Sequence, residues 1–195
     1  GILTYSKLLK KWVDNNQVST EKRDEALQCL NLISSESRRC GDLVKNLLSF
    51  SRQAPMNIEA TDINRVIKQC SLLLRHNLEI AGIQLHEQMG GNLPMLSCDA
   101  SQIEQVLLAV MVNAADAMPH GGELTVSAGP RDDGRYAIVV GDTGLGIEPE
   151  NRERIFEPYF TTKPFGTGLG LTIVFKIVKE HFGDISVASR PGEGT

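Results

Sequence analysis

The sequence predicts an α+β protein: an antiparallel helical hairpin, then an α/β sandwich with helices laid on one face of a mixed sheet. Three observations predict it. Apolar positions recur three and four apart from Ile2 to about Arg52. Alternating stretches (IQLHEQ, ELTVSA, YAIVVGD) then appear among helical periods without strict βαβ order. The change of character falls at QAP, Gln53 to Pro55, which divides the chain into a hairpin over 1–54 and a second domain over 55–195.

In the hairpin, Ile2, Tyr5, Leu9 and Trp12 lie on one helical face, and DNNQ (Asp14 to Gln17) ends it. Ser19 or Thr20 caps the second helix, with Glu21, Asp24 and Glu25 at the positive end of its dipole. Leu30, Ile33, Ser37, Cys40, Val44, Leu47 and Ser51 then form a heptad seam. Two helices cannot bury such seams alone, so a second hairpin is expected to complete a four-helix dimer bundle.

In the second domain MNIEA reads as strand, DINRVIKQCSLLL as helix and IQLHEQ as strand. LSCD leads into a helix from about Ala100 to Met118, with Ile103, Val106, Leu107, Val110, Ala114 and Ala117 on its buried side. The strands ELTVSA and YAIVVGD follow, then a polar stretch from Glu148 to Thr167, the helix LTIVFKIVKEHF and the strand DISVAS.

Composition excludes several functions. A net charge of -4 without a polybasic run, and aromatics at 5%, favour neither nucleic acid nor a membrane surface. The longest apolar run, Val106 to Val112, is far too short to span a bilayer. Cys29, Cys40, Cys70 and Cys98 have no metal-ligand spacing and read as buried reduced thiols of a cytosolic protein.

Near the end stands GTGLGLT, Gly166 to Thr172, directly before a helix. Glycine costs about 0.5–1 kcal/mol relative to alanine in a regular element, so three at every second position need a reason. A glycine turn opening a helix offers free N–H groups and a positive dipole end, which is an anion site. The P-loop pattern is absent, and GxGxG after a polar loop is no dinucleotide fingerprint. A hinge or helix cap would need one glycine rather than three.

Three further segments precede it in order: NAADAM (Asn113 to Met118), DTGLGIEP (Asp142 to Pro149) and RIFEPYFTTK (Arg154 to Lys163). Together the four look like the N, G1, F and G2 boxes of the GHKL ATP-binding fold. The chain resembles the core of a sensor histidine kinase, closest to the nitrogen-regulation type, whose lid reads FxPFFTTKxxGTGLGL. VKNLLSFSRQ, Val44 to Gln53, is similar to the end of the second dimerisation helix of such kinases.

The resemblance implies an ATP-dependent protein-histidine kinase of a two-component system, cytoplasmic and homodimeric through the hairpin, that hands a phosphoryl group to a response regulator receiver domain. It implies ATP and Mg²⁺ as cofactors. ATP-binding residues would be Asn113, Asp116, Asp142, Gly144, Gly146, Ile147, Thr162, Lys163, Gly166, Thr167, Gly168, Leu169, Gly170 and Thr172. Asp142 would accept the adenine amine, a charge-assisted bond worth about 1.5–3 kcal/mol. Gly144 and Gly146 would let the backbone lie against the base. Asn113 would offer an amide oxygen to Mg²⁺, and Asp116, on the same helix face, would either lie near the nucleotide or the metal's waters or stand as a solvated helix-end carboxylate. Lys163 would reach the terminal phosphates and Gly166, Gly168 and Gly170 bring N–H groups to them. The stretch from Glu148 to Thr167 would be a lid ordered by the γ-phosphate.

Two departures discriminate. Superfamily members that hydrolyse ATP carry a glutamate one turn before the Asn, where this chain has Ala109, which has no proton-accepting group. Many histidine kinases have Asn there. The second departure is the acceptor box, like HExxNPL, whose following segment looks like TGILTYSKLL; this chain opens GILTYSKLL, which places the acceptor histidine before Gly1. His76 (after a helix), His86 (on a strand), His120 (in a turn) and His181 (ending the last helix) read as structural or surface residues, so no catalytic residue is expected within the chain. RPGEGT looks like a turn whose returning strand is missing. The competing reading is a nucleotide-binding dimerisation module without chemistry of its own.

Overall fold

The computed structural model describes residues 2–14, 22–34, 37, 41, 56–91, 94–131, 135–163 and 166–195. It divides the chain into two compact units, Gly1–Gln53 and Ala54–Thr195.

The first unit contains α1 (Ile2–Asp14) and a second helix, α2, described over 23–34. Ile2, Tyr5, Leu9 and Trp12 are the partly buried residues of α1, the face expected from their spacing. On α2 the covered stripe is Ala26, Cys29 and Ile33, while Leu30 is 52% exposed. The Lys22 ammonium lies 5.3 Å from the Trp12 ring centre, a cation–π contact. Leu3, Val13, Leu27 and Leu32 are exposed as well, so both helices keep apolar surface open. The cap at Ser19 or Thr20, the seam residues Cys40, Val44, Leu47 and Ser51, and most of the VKNLLSFSRQ segment lie outside the described residues.

The second unit runs β1 (Glu59–Thr61), α3 (Ile63–Ile80), β2 (Ile83–Met89), β3 (Leu96–Cys98), α4 (Ala100–Asp116), β4 (Gly122–Pro130), β5 (Tyr136–Asp142) and α5 (Gly170–Glu180). β2 and β4 pair in parallel and β4 and β5 antiparallel, giving a mixed sheet in the order β2-β4-β5; β1 and β3 form a separate antiparallel pair. Alternation along β4 sends Leu124, Val126 and Ala128 into the core and leaves Glu123 exposed. Against that face α3 lays Val66, Ile67 and Cys70, and α4 lays Ile103, Leu107 and Met111.

Both long helices begin on an aspartate cap. Asp62 accepts the N–H groups of Asn64 and Arg65, and Asp99 those of Ser101 and Gln102. Asp99 also accepts Asn57 N–H at 3.0 Å and the Ser101 hydroxyl at 2.6 Å. At α5 the capping role passes to a histidine. His181 Nε2 accepts Asp99 N–H at 3.0 Å, so its proton sits on Nδ1, which faces the Ile177 carbonyl at 2.8 Å. This ties the end of α5 to the start of α4. The two helices therefore run antiparallel, with Val106 of α4 packed on Leu169, Ile173 and Ile177. The glycine end of α5 is thereby directed toward the Asn113 end of α4.

Several expectations are corrected. β1 begins at Glu59 rather than Met56, because its partner β3 is only three residues long. α3 continues to Ile80 and so contains His76, since RHN is polar but compatible with an exposed helical turn. On α4 the deepest residue is Met111, while Val106 and Val110 are only partly buried. DISVAS has the alternating exposure of a strand but joins no ladder among the described residues; directly after it Arg190 bridges to Gly194 across the RPGEGT turn. Cys29, Cys70 and Cys98 are free and buried, as expected; Cys40 lies outside the described residues.

Burial alone would raise the Asp99 carboxyl, but the Ser101 hydroxyl and three backbone N–H groups together hold it below the ordinary 3.8. Its ionised form therefore favours the fold. That contribution is complete above the ordinary carboxylate range and is lost as pH falls through the lowered value. Asp99→Ala is expected to cost about 1–2 kcal/mol at neutral pH and to flatten the acid limb of a denaturation-midpoint profile below the ordinary carboxylate range. An unchanged acid limb would remove this role.

Candidate functional site

The C-terminal turn of α4 presents Asn113 and, three residues on, Asp116. Both side-chain oxygens face one cation. Lys163 Nζ donates to Asn113 Oδ1 at 2.9 Å and to Asp116 Oδ2 at 2.7 Å. These residues are 50 and 47 positions apart in the chain. Among the described residues no group of three or more His, Cys, Asp or Glu is placed to hold a metal. An amide and a carboxylate oxygen already gathered on an ammonium suit a hard cation that takes its remaining oxygens from phosphates and water.

Asp142 ends β5, half-buried. Burial pushes its carboxyl above the ordinary 3.8 despite the Gly144 N–H, which donates to Oδ1 at 2.8 Å. The loop that follows is fastened on two sides. Leu145 N–H donates to the Ala117 carbonyl at 2.9 Å, and Ile147 N–H to Ser189 Oγ at 2.8 Å. Gly146 has φ +68, and a Cβ there would strike the Arg190 carbonyl.

The polar stretch after Glu148 is a chain of tight turns, with Arg154 N–H on the Asn151 carbonyl at 3.0 Å and the Arg154 guanidinium 4.4 Å from the Phe160 ring centre. Thr161 Oγ1 accepts Lys163 N–H at 3.1 Å, and Thr162 is exposed beside it. Residues 164 and 165 lie outside the described residues.

The glycines of GTGLGLT divide by cause. At Gly168 φ is +66 and a Cβ would strike the Tyr159 backbone, whose N–H donates to the Gly168 carbonyl at 2.9 Å. At Gly166 a Cβ would meet Thr161 Oγ1. The chain's own packing therefore accounts for two of the three. Gly170, the first residue of α5, has open space where its Cβ would be. Thr167 Oγ1 accepts Leu169 N–H at 3.4 Å, Leu169 is buried, and Thr172 Oγ1 donates to the Phe156 carbonyl at 3.2 Å.

Sequence reasoning missed three supports. Ser189 Oγ, besides accepting Ile147 N–H, donates to the Gly194 carbonyl at 2.9 Å. Tyr159 holds φ 66, rare for a bulky residue. Thr161 anchors the turn that carries Lys163. TTK was the available signal for Thr161; the others pair residues too far apart in sequence to be seen.

A cleft of about 280 Å³ lies at the other end of α4, lined by Asn57, Glu59, Gln69, Asp99, Ser101 and Glu104. Three carboxylates make it unsuited to a triphosphate.

Residues 98–195, half of the chain, match the profile of the histidine kinase-, DNA gyrase B- and HSP90-like ATPases. The chain belongs to this family. The sensor histidine kinase ZraS of Escherichia coli (strain K12) is 36% identical over 171 residues, covering 88% of this chain and 37% of that protein. Sporulation kinase E of Bacillus subtilis (strain 168) is 30% identical over 165 residues, covering 85% and 22%. The chain thus spans well under half the length of these curated relatives. Full-length ShkA, solved in complex with AMPPNP, shares the fold at a TM-score of 0.73 and 23% identity, covering 98% of this chain and 43% of that one. Among the described residues no helix is long and apolar enough to cross a membrane.

The raised Asp142 carboxyl gives a two-sided prediction. Ionisation there opposes folding, so stability from Asp142 is greatest below the ordinary carboxylate value and falls as pH rises through the raised one. Asp142→Asn is expected to melt no lower than wild type at pH 7, whereas Asp142→Ala loses adenine nucleotide binding in calorimetric titration. Wild-type affinity should also fall, on acidification, at a higher pH than an ordinary carboxylate near 3.8 would give. Unchanged ATP affinity in Asp142→Ala would exclude the adenine contact that the sequence resemblance implies for it.

Proposed function

We propose that the chain is the nucleotide-binding core of a histidine protein kinase of a two-component system. It binds Mg·ATP and positions the γ-phosphoryl for transfer to a histidine, from which a response regulator receives it. One observation carries the reading: a half-buried carboxylate, Asp142, and a cation-gathering pair, Asn113 and Asp116, are joined through the Leu145 to Ala117 bond. The family match and the resemblance to ZraS support it. The lid spelling FEPYFTTKPFGTGLGL, Phe156 to Leu171, favours the nitrogen-regulation subgroup.

In this reading Asp142 accepts the adenine amine, and the loop of Gly144, Gly146 and Ile147 lies along the base. Asn113 holds Mg²⁺, with Asp116 beside it; when bound, the metal offsets phosphate charge. Lys163, Thr162 and the backbone from Gly166 to Gly170, with Thr167, Leu169 and Thr172 fixing its shape, receive the phosphates. Open space at the Gly170 Cβ position favours an approaching ligand there. Ala109, one turn before Asn113, offers no base for water, so positioning rather than hydrolysis is the chain's contribution.

The hairpin's exposed Leu3, Val13, Leu27, Leu30 and Leu32 favour a homodimer through α1 and α2. A relative of similar fold, ThkA, has been solved in complex with the response regulator TrrA (TM-score 0.72, 22% identity, covering 93% of this chain and 52% of that one), which supports a receiver-domain partner. The two domains, 1–54 and 55–195, then divide dimerisation from nucleotide binding, and a cytoplasmic location follows for a kinase fed by cellular ATP.

Incubation with γ-labelled ATP and a chain bearing an HExxNPL-type box should label that box's histidine in an acid-labile bond. Labelling of His76, His86, His120 or His181 instead would overturn the acceptor placement. Binding without any labelling would favour the dimerisation module without chemistry.

A further inference from the structure

Asn113 and Asp116 close a helix that carries no basic residue in its own last turn. The negative end of the α4 dipole and the Asp116 carboxylate thus add at one spot. The cation that meets them comes from outside the helix. Lys163 Nζ sits on both oxygens, at 2.9 and 2.7 Å, although its side chain and that of Asp116 remain 42% and 53% exposed. The lysine is aimed by its own turn: Lys163 N–H donates to Thr161 Oγ1 at 3.1 Å, and its carbonyl accepts Gly166 N–H at 3.1 Å.

We propose that Lys163 is an internal counter-ion. It occupies the cation position on Asn113 and Asp116 while metal and nucleotide are away, and it is handed to the phosphates when they arrive. The inference rests on the nucleotide reading of this site and deepens it. Two cations cannot share Asn113 Oδ1 at bonding distance without repulsion, so metal entry displaces the ammonium. The incoming phosphates supply the negative charge that receives it. The exchange couples arrival of the metal–nucleotide to release of Lys163 from the end of α4. Asp116 is then a positioning residue for Lys163, beside the metal that Asn113 would hold.

The test uses the whole chain with trace acetylation of amines, read residue by residue by mass spectrometry, and AMPPNP with Mg²⁺ as the probe. Without nucleotide, Asp116→Asn should raise Lys163 labelling about two- to fivefold, the range of a half-exposed pair, while Lys68 on α3 stays unchanged. With saturating Mg·AMPPNP, wild type and Asp116→Asn should label Lys163 equally. No increase in the nucleotide-free variant would overturn the counter-ion. The same increase with and without Mg·AMPPNP would overturn the hand-over. Absence of any heat on titrating Mg·AMPPNP into wild type would overturn the nucleotide reading and the hand-over with it. That failure is distinguishable, because the nucleotide-free comparison contains neither metal nor nucleotide.

Discussion

The carbonyl of Ala117, one residue past α4, accepts the N–H of Leu145 at 2.9 Å. A single such bond adds only about 0.5–1.5 kcal/mol to stability, yet the site depends on it for position. It joins the helix that carries Asn113 and Asp116 to the loop that follows Asp142. The approach is so close that a Cβ on Gly144 would lie 2.5 Å from the same carbonyl, so a side chain at 144 would part the two elements. Met118, buried just beyond, and Thr143, whose hydroxyl accepts Glu123 N–H at 3.0 Å, hold the junction from the sheet side.

Around that junction the load is carried by α4. One side of it, with Leu107 and Met111, closes the core against β4, and Val106 meets α5. The Asp99 to His181 bond fixes the far end of this helix pair. Core packing of this density tolerates little volume change, which suits a site whose polar groups must keep their spacing. The local cost is concentrated where function is proposed. Asp142 is held partly desolvated with its carboxyl raised, a perturbation characteristic of functional positions.

Much of this was legible because it is local. Ile2, Tyr5, Leu9 and Trp12 declared the covered face of α1, and the two-residue alternation of ELTVSA and YAIVVGD declared β4 and β5 with nearly correct bounds. The four motif segments contain the residues of the candidate site. Contacts across long separations were not legible, because periodicity relates a residue only to its near neighbours. Nothing in the spelling pairs Lys163 with Asp116, Asp99 with His181 or Ile147 with Ser189. The glycines taught a different lesson. Their spacing suggested one cause, ligand approach, whereas the Thr161 side chain and the Tyr159 backbone already require Gly166 and Gly168. DISVAS showed that alternating exposure alone does not establish a ladder.

Under the proposed function, Asp142 reads the adenine amine by accepting its hydrogen. This is tested most directly on the unmodified protein by titrating ATP and its N6,N6-dimethyl analogue, which keeps the phosphates and removes the donor. Loss of one charge-assisted hydrogen bond predicts affinity for the analogue lower by roughly tenfold to a hundredfold. Equal affinity for the two nucleotides would rule out Asp142 as the acceptor of the adenine amine.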